Sequence, residues 1–130
     1  MNVLVVEDDL AIAEMVEEDL LAVNINCRLA LSLEQAEHAL ATDKFTCVVL
    51  DRGLPRRTGG FSERRAGDEL LRWMCRSGIQ TPVIIHSGSA SGVDELLRTG
   101  AQAYVPKPSP VGENSLVATI QRIAQEPPHA

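Results

Sequence analysis

No apolar run in this 130-residue chain approaches the roughly 20 residues that cross a bilayer, and no basic stretch precedes the first apolar segment. A soluble, cytoplasmic protein with no membrane contact is therefore expected. The three cysteines, Cys27, Cys47 and Cys75, are odd in number and form no CxxC pair, and no histidine lies near any of them. That argues against a disulfide framework or a zinc site and leaves buried small apolar side chains or free thiols in a reducing compartment. A basic excess is also missing. Twelve Lys and Arg stand against 18 Asp and Glu, a formal charge of −6, which argues against direct nucleic-acid binding. There is no internal repeat and no low-complexity linker. Apolar residues make up 45% and charged residues 23%, close to globular averages. One domain is expected over residues 1–125, followed by a tail, 126–130, whose Pro127-Pro128 cannot continue a helix.

Charge is unevenly spread. Residues 1–26 carry seven acids and no base, whereas residues 51–76 carry seven arginines against four acids. Apolar segments flank and interleave both blocks, so the asymmetry belongs to one domain.

The apolar pattern alternates between two periods. Val3 to Val6 is a short β-branched run; Ile12, Met15, Val16 and Leu20 then recur at helical spacing. Asn26 to Leu31 reads as a second strand. Ser32 with Gln35 forms a capping box opening a helix to about Ala41. Cys47 to Leu50 is a third strand, apolar on both faces as at the centre of a parallel sheet. An irregular Arg- and Gly-rich stretch follows, and helical period resumes at Asp68. Val83 to Ile85 and Ala103 to Val105 are the fourth and fifth strands. Val93 to Thr99 is a short helix, and Asn114 to Gln125 is the last. Five strand–helix alternations imply a three-layer α/β fold with right-handed crossovers.

In an open parallel sheet, ligands bind beyond the carboxyl ends of the strands. Glu7, Asp8 and Asp9 follow the first strand, Asp51 the third, Ser87 and Gly88 the fourth, and Lys107 the fifth. Each has a plain structural alternative: Asp8 or Asp9 as a helix cap, Asp51 as a turn residue, Ser87 as a loop hydroxyl, Lys107 as a solvated cation. Together they place carboxylates, one hydroxyl and one lysine on a single rim.

Four segments carry a resemblance. Val5-Val6-Glu7-Asp8-Asp9, Asp51-Arg52-Gly53-Leu54-Pro55, Pro82 to Gly88 and Tyr104-Val105-Pro106-Lys107-Pro108 resemble, in order and spacing, the receiver domain of two-component response regulators. The resemblance covers about residues 2–125 and is similar in scope to chemotaxis-type single-domain receivers. It implies a flavodoxin-like (βα)5 fold with strand order 2-1-3-4-5. It implies that Asp51 is the phosphoacceptor and that Glu7, Asp8, Asp51 and the Gly53 carbonyl hold Mg²⁺, Asp8 directly and Glu7 through water. Lys107 would stabilise the transferring phosphoryl group. Ser87 and Tyr104 would form the switch, and the Lys107–Pro108 bond would be cis. The partners implied are a sensor histidine kinase or a histidine phosphotransfer protein and a downstream protein target. The protein would be a monomer or a phosphorylation-linked homodimer, a signalling domain rather than an enzyme. With no effector domain in this sequence, output is expected from another chain.

Two segments depart from the pattern. From Asp51 to Gly67 is sixteen positions, long against the usual ~2–6 of a βα loop, and Gly60 to Ala66 reads as an insertion. It is either a solvated loop or, through Arg56, Arg64 and Arg65, a docking or phosphate-attracting one. Arg52 and Arg56 are expected to raise the potential toward an anionic donor. From Ser87 to Gly100 is only thirteen positions, with poor helix formers, which predicts a shortened, frayed or largely absent fourth helix. His86 is expected to face away from Asp51.

Two other readings are open to the sequence. A pseudo-receiver acting by constitutive binding would keep the fold without phosphorylation. A phosphohydrolase or flavin protein on a similar sheet lacks support, since no Asp-x-Asp pair and no phosphate loop after the first strand are present.

Overall fold

In chain order the elements of the computed structural model, which describes residues 1–125, are β1 (Asn2–Val6), α1 (Leu10–Leu21), β2 (Asn26–Ala30), α2 (Leu33–Thr42), β3 (Cys47–Leu50), β4 (Leu54–Pro55), β5 (Ser62–Glu63), α3 (Ala66–Arg76), β6 (Val83–Ser87), α4 (Val93–Thr99), β7 (Ala103–Pro106) and α5 (Leu116–Gln125). The tail 126–130 lies outside the described residues. Five strands form a parallel sheet in the order β2-β1-β3-β6-β7. This is the 2-1-3-4-5 order of a doubly wound sheet, with the two-residue strands β4 and β5 set apart as their own antiparallel hairpin.

Strand alternation sorts the core into two layers. Leu4, Val6, Val48, Leu50, Val83 and Ile85 bury against α2, α3 and α4. Val3, Val5, Val49, Ile84 and Val105 bury against α1 and α5 through Val16, Leu20, Leu116 and Ile120. Both faces of β3 are fully covered, as its unbroken apolar run requires.

The helix starts follow from local chemistry. Asp9 caps α1, its carboxylate accepting from the Ile12 amide at 3.3 Å, which leaves Asp8 free. Ser32 Oγ accepts from the Gln35 amide, and Gln35 Oε1 reaches back to the Leu31 amide, closing the box read from the sequence. α5 begins at Leu116, two residues later than its apolar period suggested. Residues Gly112–Asn114 form a 3₁₀ turn, and Ser115 takes the cap by accepting from the Ala118 amide.

The inserted stretch is a structured hairpin. Leu54 and Pro55 pair with Glu63 and Ser62, and the base is held by Arg56 bridging Glu63 and Glu69. Phe61 stands fully exposed near its tip. Ala66, assigned to the insertion by sequence, already belongs to α3. α4 is short, at seven residues, but formed. All three cysteines are free, and no helix among the described residues is long and apolar enough to cross a membrane.

Candidate functional site

The site lies at the carboxyl ends of β1, β3, β6 and β7, where the strand order reverses on either side of β1 and β3. Glu7 and Asp8 follow β1, and Asp51 follows β3. Carboxylate oxygens of these three residues all lie within 4.8 Å of one another. Lys107, one residue beyond β7, ion-pairs with Glu7 and lies 3.3 Å from Asp51 Oδ2. The Lys107–Pro108 bond is cis.

Burial differs among the three acids. Glu7 is buried, Asp51 half-buried and Asp8 exposed. The Glu7 carboxyl is pushed up to about 8, chiefly by burial and also by its hydrogen bond with Asp51, with Lys107 opposing the rise. Three carboxylates this close favour a proton or a cation among them. For Lys107, burial acts against the charged form, but contacts with Glu7 and Asp51 outweigh it and raise the ammonium. The donor set is all hard oxygen with one side open to solvent, which fits Mg²⁺, an ion that takes few carboxylates and keeps several waters.

Ser87 closes β6 and is buried; its hydroxyl accepts from the Ser89 amide at 3.2 Å. Tyr104 packs partly buried against the core, and its hydroxyl donates to the Ser87 carbonyl at 3.2 Å. The two residues assigned to a switch are therefore in contact. Gly53 lies beside the hairpin, where an added Cβ would sit 3.4 Å from Ser62 Oγ.

Two expectations are corrected. His86 does not face away from Asp51. Val49 pairs with Ile84 and Leu50 with Ile85, so the next pair in register is Asp51 with His86, on the same α1/α5 face. The alternation rule was right, but the register that fixes its phase is a long-range fact. His86 is lowered to about 4, chiefly by burial and also by Lys107, with Asp51 opposing. Its Nε2 is buried without a hydrogen-bond partner among the described residues. Nor is Arg52 a free cation. It is buried and forks onto Asp68, with Nε to Oδ1 and Nη2 to Oδ2 both at 3.1 Å, while Nη1 donates to the Ser91 carbonyl.

That network contains the residues sequence reasoning missed. Asp68 reads as an ordinary acid in a helix's first turn. In fact it joins α3 to the residue after the phosphoacceptor candidate and, through Arg52, to the loop before α4. Gly67 is equally specific. A Cβ there would lie 2.1 Å from the Asp51 carbonyl oxygen and 2.9 Å from Arg52 Cα, so only glycine lets α3 approach β3 this closely. The adjacent Gly-Asp at the helix start was the available signal.

The family model described as response regulator receiver domain matches residues 3–121. The chain is similar to the response regulator protein PmrA of Pseudomonas aeruginosa, 32% identical over 115 residues, covering 87% of this chain and 48% of that protein. It is similar to the cell cycle response regulator CtrA of Brucella ovis, 30% identical over 131 residues, covering 96% of this chain and 50% of that one. A transcriptional regulatory protein, DltR of Streptococcus agalactiae, is 29% identical over 123 residues, 93% of this chain and 50% of its own. The chain thus spans about half the length of these relatives. Among solved structures, the receiver domain of the Francisella response regulator 1452 superposes with a TM-score of 0.81 at 26% identity, covering 95% of this chain and 96% of that one.

Proposed function

Because the chain belongs to the response regulator receiver domain family of two-component systems, we propose that Asp51 accepts a phosphoryl group from the phosphohistidine of a sensor kinase or phosphotransfer protein and passes the signal on by protein contact. The observation that carries this reading is the convergence of Glu7, Asp8 and Asp51 with Lys107, 3.3 Å from Asp51 Oδ2, on the strand-end rim.

A carboxylate oxygen of Asp51 attacks phosphorus, the P–N bond of the donor breaks, and the electron pair returns to the ring nitrogen; a proton on the donor's other ring nitrogen lets the imidazole leave neutral. Asp8, Asp51 and the Gly53 carbonyl would hold Mg²⁺, with Glu7 acting through water, and the ion would offset charge on the phosphoryl oxygens. Lys107 does the same from the protein side. Its ion pairs with Glu7 and Asp51, which hold the ammonium beside the acceptor before the donor arrives, support this role. The charge change on Asp51 is read by Ser87. When that hydroxyl turns to donate to the new oxygens, it gives up its bond from the Ser89 amide, and Tyr104, tied to the Ser87 carbonyl, repositions with the loop. The output face is then α4, β7 and α5. The related DltR is named a transcriptional regulatory protein, and the part proposed for the present domain is the switch.

The test is Mg²⁺-dependent labelling with phosphoramidate. The wild type should label, Asp51→Asn should not, and equal labelling of both would overturn the assignment.

A further inference from the structure

Serines stand two apart at the end of β6 and in the loop after it, at Ser87, Ser89 and Ser91. They form a ladder. Ser87 Oγ accepts from the Ser89 amide at 3.2 Å, and Ser89 Oγ accepts from the Ser91 amide at 3.3 Å. The last rung belongs to Arg52, whose Nη1 donates to the Ser91 carbonyl. A chain of hydrogen bonds thus runs from the proposed reporter, Ser87, to the residue after Asp51.

Arg52 is a fixed end for that chain. Its Nε and Nη2 are committed to Asp68 in α3. A guanidinium is a rigid plane, so the direction of Nη1 is set once the other two nitrogens are held. The backbone is held as well, since the Arg52 carbonyl accepts from the Gly67 amide at 2.9 Å. On the other side of the contact the loop is free to shift. Gly88 to Gly92 are exposed, and a cavity of about 220 Å³ opens among Ser87, Ser89, Arg52 and Gly53. Gly92 lies so close to the guanidinium that a Cβ would sit 3.3 Å from Nη2.

We propose that Arg52 is a positioning residue for Ser87: it latches the loop between β6 and α4 in its resting arrangement, and phosphorylation must release the latch. The inference rests on Asp51 being the acceptor and Ser87 its reporter. When the Ser87 hydroxyl turns to the phosphoryl oxygens it gives up the Ser89 amide, and the ladder loses its first rung. The loop then follows Ser87. Arg52 cannot follow, because Asp68 and the backbone beside Asp51 hold it. The bond from Arg52 to the Ser91 carbonyl therefore belongs to the resting state, and a contact made in one state alone biases the equilibrium between the two. Weakening it raises the fraction of protein already switched, and a ligand that selects the switched state binds more tightly in proportion.

The probe is beryllofluoride, a phosphoryl mimic, titrated with Mg²⁺ into wild type, Arg52→Lys and Ser89→Ala and followed by ¹⁹F NMR. Lysine keeps a positive charge for Asp68, but a single ammonium lacks the fork that serves Asp68 and Ser91 together. Ser89 is exposed, so Ser89→Ala removes the middle rung without disturbing a buried charge. Loss of a charge-assisted hydrogen bond predicts affinity raised about tenfold in Arg52→Lys, and loss of a neutral one about three- to fivefold in Ser89→Ala. A residue that only held the fold together would, when weakened, leave the affinity unchanged or reduce it. Circular dichroism checks folding, and Ser89→Ala decides if Arg52→Lys does not fold. Unchanged or weaker binding in either folded variant, with wild type binding, overturns the latch. Absence of binding to all three proteins overturns the acceptor assignment beneath it, and the latch falls with it.

Discussion

Replacing Asp68 by alanine isolates the cost of stranding a buried cation beside the phosphoacceptor. The side chains of Arg52 and Asp68 are 7% and 6% exposed and joined by two parallel hydrogen bonds of 3.1 Å. In Asp68→Ala the guanidinium keeps only the Ser91 carbonyl. Removing one partner of a buried pair costs about 3–5 kcal/mol, because the other charge is left without compensation. A domain of this size has a total stability of roughly 6–20 kcal/mol. With an unfolding entropy of about 2.1 cal/mol/K per residue, a loss of about 4 kcal/mol lowers the melting temperature by roughly 15 °C. The double variant Arg52→Met/Asp68→Leu removes both charges and should recover most of that loss. Thermal and urea unfolding followed by circular dichroism measure all three proteins. A fall below about 1 kcal/mol in Asp68→Ala, or a double variant no more stable than the single one, would refute the claim that this is a desolvated, mutually dependent pair.

Three further outcomes are expected. Gly67→Ala should cost about 3 kcal/mol in urea unfolding, since its Cβ would fall 2.1 Å from the Asp51 carbonyl oxygen and force β3 and α3 apart. It should also slow labelling by displacing Asp51. His86→Leu should match or exceed the wild type in stability at pH 7, because it removes a buried nitrogen without a partner. His86 is depressed from 6.5 to about 4 on folding, so the unfolded chain binds the extra proton between those values. Its contribution is complete above about pH 6.5 and is lost as pH falls toward about 4. The wild-type stability minus that of His86→Leu should therefore drop on acidification across that window, by up to about 3 kcal/mol, with Lys107 and Asp51 the charged neighbours that set its size. Lys107→Met should slow labelling about a hundredfold through loss of a preplaced cation, while Asp8 keeps the divalent site.

The legible part of this molecule was local. The Ser32–Gln35 box, the apolar run of β3 and the helical spacing of α1 and α5 each arise from neighbouring residues, and each element formed, although α5 begins two residues later than read and Met15 of the α1 spacing is exposed. The rim of Glu7, Asp8, Asp51, Ser87 and Lys107 was equally accessible, since a parallel sheet brings every strand end to one edge. What the sequence did not disclose depended on register and close approach. The side taken by His86 is fixed by how β6 pairs with β3, not by its own strand. Arg52 looks like any solvated arginine until α3 carries Asp68 over it. Gly67 has a negative φ, so its necessity comes from the Asp51 backbone lying against it rather than from its own conformation. The inserted hairpin was read as irregular because its two-residue strands are too short for any periodic signal.

The most direct measurement locates the phosphoryl group. Protein treated with acetyl phosphate and Mg²⁺ can be reduced with borohydride, which converts an acyl phosphate to an alcohol, and then mapped by tandem mass spectrometry. Reduction confined to position 51, dependent on Mg²⁺, is the expected result. Reduction at Glu7 or Asp8 instead, or none at any carboxylate, would contradict the assignment of Asp51 as the acceptor.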